Sequence, residues 1–347
     1  MPNAQSHTPR NVLVTGGAGF IGSHVVRVAL SEGAKVRVLI EPGSPVQNLE
    51  GLDVERVYGD LMDPPSLARA VAGCDTVFHL AAIFDYWLPR AERMFEVNVE
   101  GTVHLMEAAK GAGVQRVIKT SSIAAVGVRP GEEPADETTQ YNSWATADDY
   151  IHSKYIAELE AMRFNMEGLP VVACLPTFPI GDADIRPTPT GEMVRVWVDE
   201  ENPAYFGGGA NFVNVKDLAR GHWLAALHGR PGQRYILGGP ENITFQDLSA
   251  RIARATGGTP AKHAITGRTK GVMATMGRLN EALSSVTKQK PVFVERGIKF
   301  MVDNYIYFDI TKAREELGYA PTSIDDGIAD AVAWFQAGRS LAKRKKR

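Results

Sequence analysis

Cysteine is nearly missing from this chain. Cys74 and Cys174 are its two cysteines in 347 residues; each sits in an apolar stretch, and neither has a CxxC or Cys/His neighbourhood. A disulfide framework is thereby excluded, no metal centre is expected, and reduced core thiols fit a cytoplasmic protein. Long apolar runs are missing as well: none reaches the roughly 18 residues that mark a membrane helix, so no membrane partner is expected. Met1–Arg10 is polar, lacks the apolar segment of a secretory signal and reads as a loose leader. Charge of one sign is scarce too. With 38 basic and 40 acidic residues the formal net charge is -2, which leaves no broad footprint for nucleic acid or an anionic surface. The basic run Lys343 to Arg347 reads as a solvated, frayed end.

What is present is a rhythm. Short β-branched runs at Asn11–Thr15, Lys35–Ile40, Val54–Tyr58, Thr76–Leu80, Arg116–Ser121 and Val171–Leu175 alternate with amphipathic helices near Ser23–Ser31, Pro65–Ala72 and Ala91–Ala112. This is the pattern of βαβ units and an α/β fold with a doubly wound parallel sheet. After Pro176 the prolines and glycines of 179–191 break the alternation. Asn211–Val215, helical Asp217–Leu227 and Arg234–Leu237 then read as a return to the sheet. The expected organisation is a dinucleotide-binding domain over 11–181 continued by 211–239, a smaller discontinuous substrate lobe from 182–210 and 240–305, a closing segment 306–338, and loose ends at 1–10 and 339–347. Within the lobe a helix is expected at Phe245–Thr256, capped by Thr244.

Thr15-Gly16-Gly17-Ala18-Gly19-Phe20-Ile21-Gly22 follows the first strand and opens the first helix. In that position glycines allow a tight turn and let backbone N–H groups approach a pyrophosphate, while the helix directs its positive end at the same charge. Gly16, Gly19 and Gly22 fit one spacing and Gly17, Gly19 and Gly22 another; Phe20 and Ile21 complete the cofactor turn. Glu41 ends the second strand nineteen residues beyond Gly22, where a carboxylate accepts the ribose hydroxyls of NAD(H) and repels the 2′-phosphate of NADP(H). NAD(H) is therefore the expected cofactor, with NADP(H) still open.

Tyr150 and Lys154 stand four residues apart, so on a helix they share a face one turn apart. A phenol must move its proton far from a reference pKa of about 10 to work near neutrality. The Lys154 ammonium is expected to lower it and to hydrogen-bond the nicotinamide ribose, while an upstream hydroxyl polarises the substrate oxygen.

Taken in order, TGGAGFIG, Gly59-Asp60-Leu61, His79-Leu80-Ala81-Ala82, Asn98-Val99-Glu100-Gly101-Thr102, Thr120-Ser121-Ser122 and Tyr150-Ile151-His152-Ser153-Lys154 resemble the extended short-chain dehydrogenase/reductase family over nearly the whole chain. The resemblance implies a Rossmann fold and a hydride-transfer enzyme. It places Asp60, with Leu61 beside it, at the adenine, and Leu80, Ala81 and Ala82 along the cofactor. Asn98 falls on the long helix as scaffold or packing residue, and Pro176 opens a segment that passes the nicotinamide. It points to Ser122 as the catalytic hydroxyl, with Ser121 its nearest competitor, and implies a homodimer through the helices carrying Asn98 and Tyr150.

Two branches are similar, dihydroflavonol-reductase-like enzymes and hopanoid-associated sugar-epimerase-like proteins. Asn211 stands where many nucleotide-sugar enzymes carry an arginine, which removes a diphosphate clamp. Phe84, Tyr86 and Trp87 suggest an aromatic pocket wall instead. The expectation is a reductase or dehydrogenase acting on a small carbonyl or secondary alcohol. A sugar epimerase and a non-catalytic cofactor-binding regulator are the alternatives.

Overall fold

The structure, a computed structural model, describes residues 7–345 apart from 85–87, 89, 91, 145–147, 200–203 and 268–301. A central sheet takes strands β1 (Asn11–Thr15), β2 (Lys35–Ile40), β3 (Glu55–Tyr58), β4 (Thr76–His79), β5 (Arg116–Thr120), β6 (Val171–Pro176) and β10 (Arg234–Leu237). Its order is β10-β6-β5-β4-β1-β2-β3, every pair parallel. The strand order reverses between β1 and β4, so a crevice opens at their carboxyl ends, as in a doubly wound Rossmann sheet.

Both faces are covered except at the β3 edge, where Glu55, Arg56 and Tyr58 are exposed, which is why the inner strands are largely apolar. Val12, Val14, Val36 and Val38 point to one side, beneath α1 (Phe20–Ser31) and α7 (Val215–His228). Leu13, Val77 and Val117 point to the other, beneath α2 (Pro64–Val71), α4 (Gly101–Gly111) and α5 (Asp149–Met166). Alternation then places Thr15, His79 and Lys119 on that second face as well, side by side in register on β1, β4 and β5.

The expected strands and helices of the first half lie within three residues of those observed, with one difference in kind. The run expected as one helix over Ala91–Ala112 is α3 (Glu92–Phe95), a π-helical turn at Glu96–Glu100, and then α4. A widened turn is a local insertion that hydrophobic periodicity does not register.

Asn211–Val215 does not rejoin the central sheet. Its residues lie in β9 (Gly208–Asn214), the middle of a second sheet with β7 (Phe178–Ile180), β11 (Asn242–Thr244) and β13 (Asn304–Ile306). Only β10 returns to the central sheet. A short parallel pair, β8 (Ala204–Phe206) and β12 (His263–Ile265), lies beside α6 (Pro189–Asp199) and α8 (Phe245–Thr256). Helix α8 has its expected bounds, with the Thr244 hydroxyl accepting from the Asp247 N–H at 3.0 Å.

The chain closes with α9 (Thr311–Leu317) and α10 (Ile324–Lys345). Helical backbone thus continues well past 338, where a loose end was expected, because the alanine, leucine and lysine there favour helix and no proline intervenes. Part of the expected 240–305 lobe piece, 268–301, lies outside the described residues. No helix among the described residues is long and apolar enough to cross a membrane. Those residues contain no cluster of potential metal ligands, and both cysteines are buried and free.

Candidate active site

The polar row on β1, β4 and β5 forms the floor of the site. Thr15 Oγ1 and His79 Nδ1 are 2.9 Å apart, and His79 Nε2 lies 3.0 Å from Thr102 Oγ1 on α4. Lys119 Nζ donates to the same Thr102 hydroxyl at 3.2 Å, and that hydroxyl donates to the Asn98 carbonyl at 2.6 Å. Burial, with the charge of neighbouring lysines, pushes the His79 and Lys119 pKa values well below their usual ranges, which leaves the His79 imidazole neutral.

The π-helical turn directs the Asn98 side chain inward, leaving it 1% exposed. Its Oδ1 accepts from the Ile83 N–H at 2.7 Å; its Nδ2 donates to the Ile83 carbonyl at 3.0 Å and to Ser153 Oγ at 2.9 Å. Asn98 therefore clamps the segment leaving β4 to helix α5.

Helix α5 begins with a cap that the sequence reading overlooked. Buried Asp148 accepts from the Ile151 N–H at 2.9 Å, a signal legible as an aspartate just before the helix. In the first turn, Tyr150 shares a hydrogen bond with the Ser122 side chain. Ser122 Oγ also accepts from the Ala124 N–H at 3.1 Å. Its neighbour Ser121 is buried and lies beside Glu158, so the two candidate hydroxyls point to different partners.

Lys154 is 4% exposed, and its Nζ donates to the Thr120 carbonyl at 2.9 Å. Burial brings its pKa down to about 8, with Glu158 opposing the fall. The Tyr150 pKa is raised, not lowered as expected from the pairing with Lys154. Burial is the largest cause, the Asp148 carboxylate adds to it, and the Ser122 hydrogen bond pulls the other way. Desolvation outweighs the lysine, whose ammonium is aimed at Thr120.

Across the crevice the glycine turn packs Gly16 and Gly22 against neighbouring backbone and leaves Gly19 exposed at the entry to α1. Gly16 has φ +69°, and a Cβ there would lie 2.7 Å from the Ala81 N atom. A Cβ on Gly22 would collide with the Gly16 carbonyl, so the α1 entry tolerates no side chain. Gly19 is the α1 N-cap and supplies no side-chain bond. Phe20 and Ile21 are half-buried at the first turn of α1; Glu41 is exposed directly after β2, and Asp60 is half-buried after β3. The Asp60 carboxylate accepts from the Met62 N–H at 2.9 Å.

Three expected contacts are narrower than the residue names imply. Leu61 turns its side chain into the core, where it meets Gly101 of α4, and so offers a ligand only its backbone. The Ala81 N–H is already donated to Thr15 Oγ1 at 3.1 Å, whereas Leu80 and Ala82 line the same edge half-buried. Pro176 is buried at the end of β6, paired with Leu237 of β10.

Of the proposed aromatic wall, Phe84 packs against Tyr150 with ring centroids 4.7 Å apart and remains 43% exposed. Tyr86 and Trp87 lie outside the described residues. Asn211 is buried and fully used: its Nδ2 reaches the Gly239 and Glu241 carbonyls and Asn242 Oδ1 at 3.0 to 3.3 Å, and its Oδ1 accepts from the Gly239 N–H at 2.8 Å. It pins β9 to the turn after β10 and offers nothing to a diphosphate.

A glycine cradle at the switch point of a parallel sheet, facing a tyrosine, serine and lysine, defines a nucleotide-dependent enzyme of the Rossmann class. The NAD dependent epimerase/dehydratase family matches residues 12–238, and the chain belongs to it: it is an NAD(P)-dependent oxidoreductase of the extended short-chain dehydrogenase/reductase type. It is 37% identical to a Synechocystis sp. protein named "Putative dihydroflavonol 4-reductase", covering 93% of this chain and 94% of that one. It is 33% identical to "Sterol demethylase protein B" of Methylococcus capsulatus, covering 93% and 98%. The crystal structure of gox2253 superposes with a TM-score of 0.82 at 39% identity, covering 94% of this chain and 98% of that one.

Proposed function

We propose that this enzyme, preferring NAD(H), transfers hydride between the nicotinamide and a small carbonyl or secondary alcohol carried on an apolar, ring-bearing molecule. Tyr150 acts as the general acid and base. The observation that carries this reading is the hydrogen bond shared by Tyr150 and Ser122, one helical turn from buried Lys154 and beside the partly exposed ring of Phe84. The dihydroflavonol and sterol in the names of two relatives supply the ring-bearing substrate class.

When bound, the cofactor would supply or accept the hydride. Gly16, Gly19, Gly22 and the α1 N-terminus would hold its pyrophosphate, Glu41 its adenosine ribose, and Asp60 its adenine. Burial keeps Tyr150 protonated at neutral pH, which suits reduction: the phenol gives its proton to the carbonyl oxygen as hydride reaches the carbonyl carbon, leaving a secondary alcohol and a phenolate. Ser122 donates to the same oxygen, and the Lys154 ammonium stabilises the phenolate until solvent returns the proton. The described parts of 182–210 and 240–305 supply the substrate surface.

The enzyme is a homodimer through the helices carrying Asn98 and Tyr150, where α5 leaves Leu159 and Met166 exposed, and it works in the cytoplasm. Light scattering of the purified protein tests the dimer. A panel of nucleotide sugars, aldehydes and ring ketones with added cofactor tests the reaction. Net NADH consumption with a ketone supports it. Conversion of a nucleotide sugar to its epimer without net NADH change, and without carbonyl reduction, replaces it with the epimerase alternative. Cofactor binding with no turnover on any member replaces it with the regulator.

A further inference from the structure

The ionic groups behind the site do not balance residue by residue. Lys119 is 1% exposed and Lys154 4%, and both are packed under α5 together with Glu158, which is 6% exposed. Glu158 lies four residues beyond Lys154 and therefore on the same helical face. One of its oxygens meets Arg234 of β10 at 2.9 Å; the other, Oε2, is buried without a hydrogen-bond partner. The Ser121 hydroxyl sits beside the carboxylate.

We infer that Glu158 is the counter-ion of Lys154, a positioning residue whose carboxylate, anchored by Arg234, favours the ammonium form of Lys154 behind the site. The inference rests on the reading that Lys154 works as an ammonium beside Tyr150.

The balance follows from the neighbours. Two lysines and a guanidinium lie about one carboxylate, so charging both lysines at once is costly. Lys119 has a neutral hydroxyl as its hydrogen-bond partner; burial and the like charge of Lys154 lower its pKa, and Glu158 pulls the other way. Lys154 donates to the Thr120 carbonyl, and Glu158 opposes the lowering of its pKa by burial. Burial pushes the Glu158 pKa up, while Arg234 foremost, then Ser121, Lys154 and Lys119, pull it down.

The other titratable groups around α5 leave this assignment intact. His79 from β4 is buried neutral, and burial raises Cys174 on β6 into the neutral thiol. His222 from α7 is neutral against Thr120. Asp148 at the helix start acts on Tyr150, and Arg93 and Glu96 beside the π-helical turn pair with each other.

The test is a carbon-13 NMR titration of cofactor-free protein labelled at the lysine Cε positions, with Lys154→Met and Lys119→Met identifying the two buried resonances. In Glu158→Gln the Lys154 resonance should deprotonate about one pH unit or more below its wild-type midpoint, with Glu158→Asp partly restoring it. The high-pH limb of kcat should move down by the same amount. An unchanged Lys154 midpoint in Glu158→Gln overturns the inference. Should Glu158→Gln not fold, Glu158→Asp serves instead: it withdraws the carboxylate by one methylene and should lower the same midpoint part of the way, and no change there overturns the inference equally. If Lys154→Met keeps full turnover, the catalytic reading of Lys154 fails, while the NMR midpoint still decides the role of Glu158.

Discussion

The side-chain amide of Asn98 is bonded to the hydroxyl of Ser153 across 2.9 Å, which ties the π-helical turn to the first turn of α5. Ser153 Oγ in turn donates to the Tyr150 carbonyl at 2.8 Å, so the position of the phenol depends on a residue three elements away. Asn98→Leu would strand the Ile83 N–H and carbonyl as buried groups and remove the Ser153 contact. The expected result is a loss of about 3 kcal/mol in urea unfolding together with a fall in kcat, at roughly 1–3 kcal/mol per stranded group. Unchanged stability and kcat would remove Asn98 from the support of the site.

The acid side of the stability profile follows from His222. This ring is fully buried between Thr120 Oγ1 at 3.0 Å and the Leu218 carbonyl at 2.8 Å, and burial brings its pKa from 6.5 down to about 4. The unfolded chain takes up this proton first as pH falls, so the neutral ring contributes stability above pH 6.5 that is lost between about 6.5 and 4. For one histidine this amounts to about 3 kcal/mol. His222→Gln should flatten the fall over that window in denaturant titrations; an equally steep fall would assign it to other groups.

Cofactor choice is predicted to turn on Glu41, which is exposed at the end of β2. NAD(H) should bind tighter than NADP(H), and Glu41→Arg should narrow or reverse the ratio by roughly tenfold or more as guanidinium meets the 2′-phosphate. Fluorescence titration with both cofactors checks this. Equal dissociation constants that do not respond to the substitution would place Glu41 outside the site.

The inner parallel strands were legible because both their faces are buried, so they read as largely apolar runs; helix α8 was legible because Thr244 supplies a cap. The glycine turn could be placed for the same reason, since it lies between a strand and a helix. Other features left no trace in one dimension. The apolar run of β9 is the same whichever sheet it joins. The resemblance marked Asn98 as a scaffold or packing residue, but not the π-helical turn that makes it a buried clamp. Lys119 and Glu158 look like ordinary charges in a strand and a helix, and only the packing of α5 on β5 brings them together.

Phe84 is the described part of the aromatic wall, 4.7 Å from the Tyr150 ring. Phe84→Ala should raise KM for ring-bearing substrates by about tenfold while leaving short aliphatic aldehydes nearly unaffected, because it removes aromatic contact and leaves the acid in place. A uniform change in kcat with constant KM would mean that Phe84 supports Tyr150 rather than the substrate.

The central claim, that Tyr150 carries the proton in a net hydride transfer, is tested most directly by Tyr150→Phe, which keeps the ring against Phe84 and deletes the hydroxyl. The measurement is nicotinamide absorbance during turnover of a ring ketone, with cofactor affinity determined alongside. The account predicts a rate lower by roughly 10²–10⁴-fold with an unchanged cofactor dissociation constant. A variant that retains activity within about tenfold of wild type would contradict it.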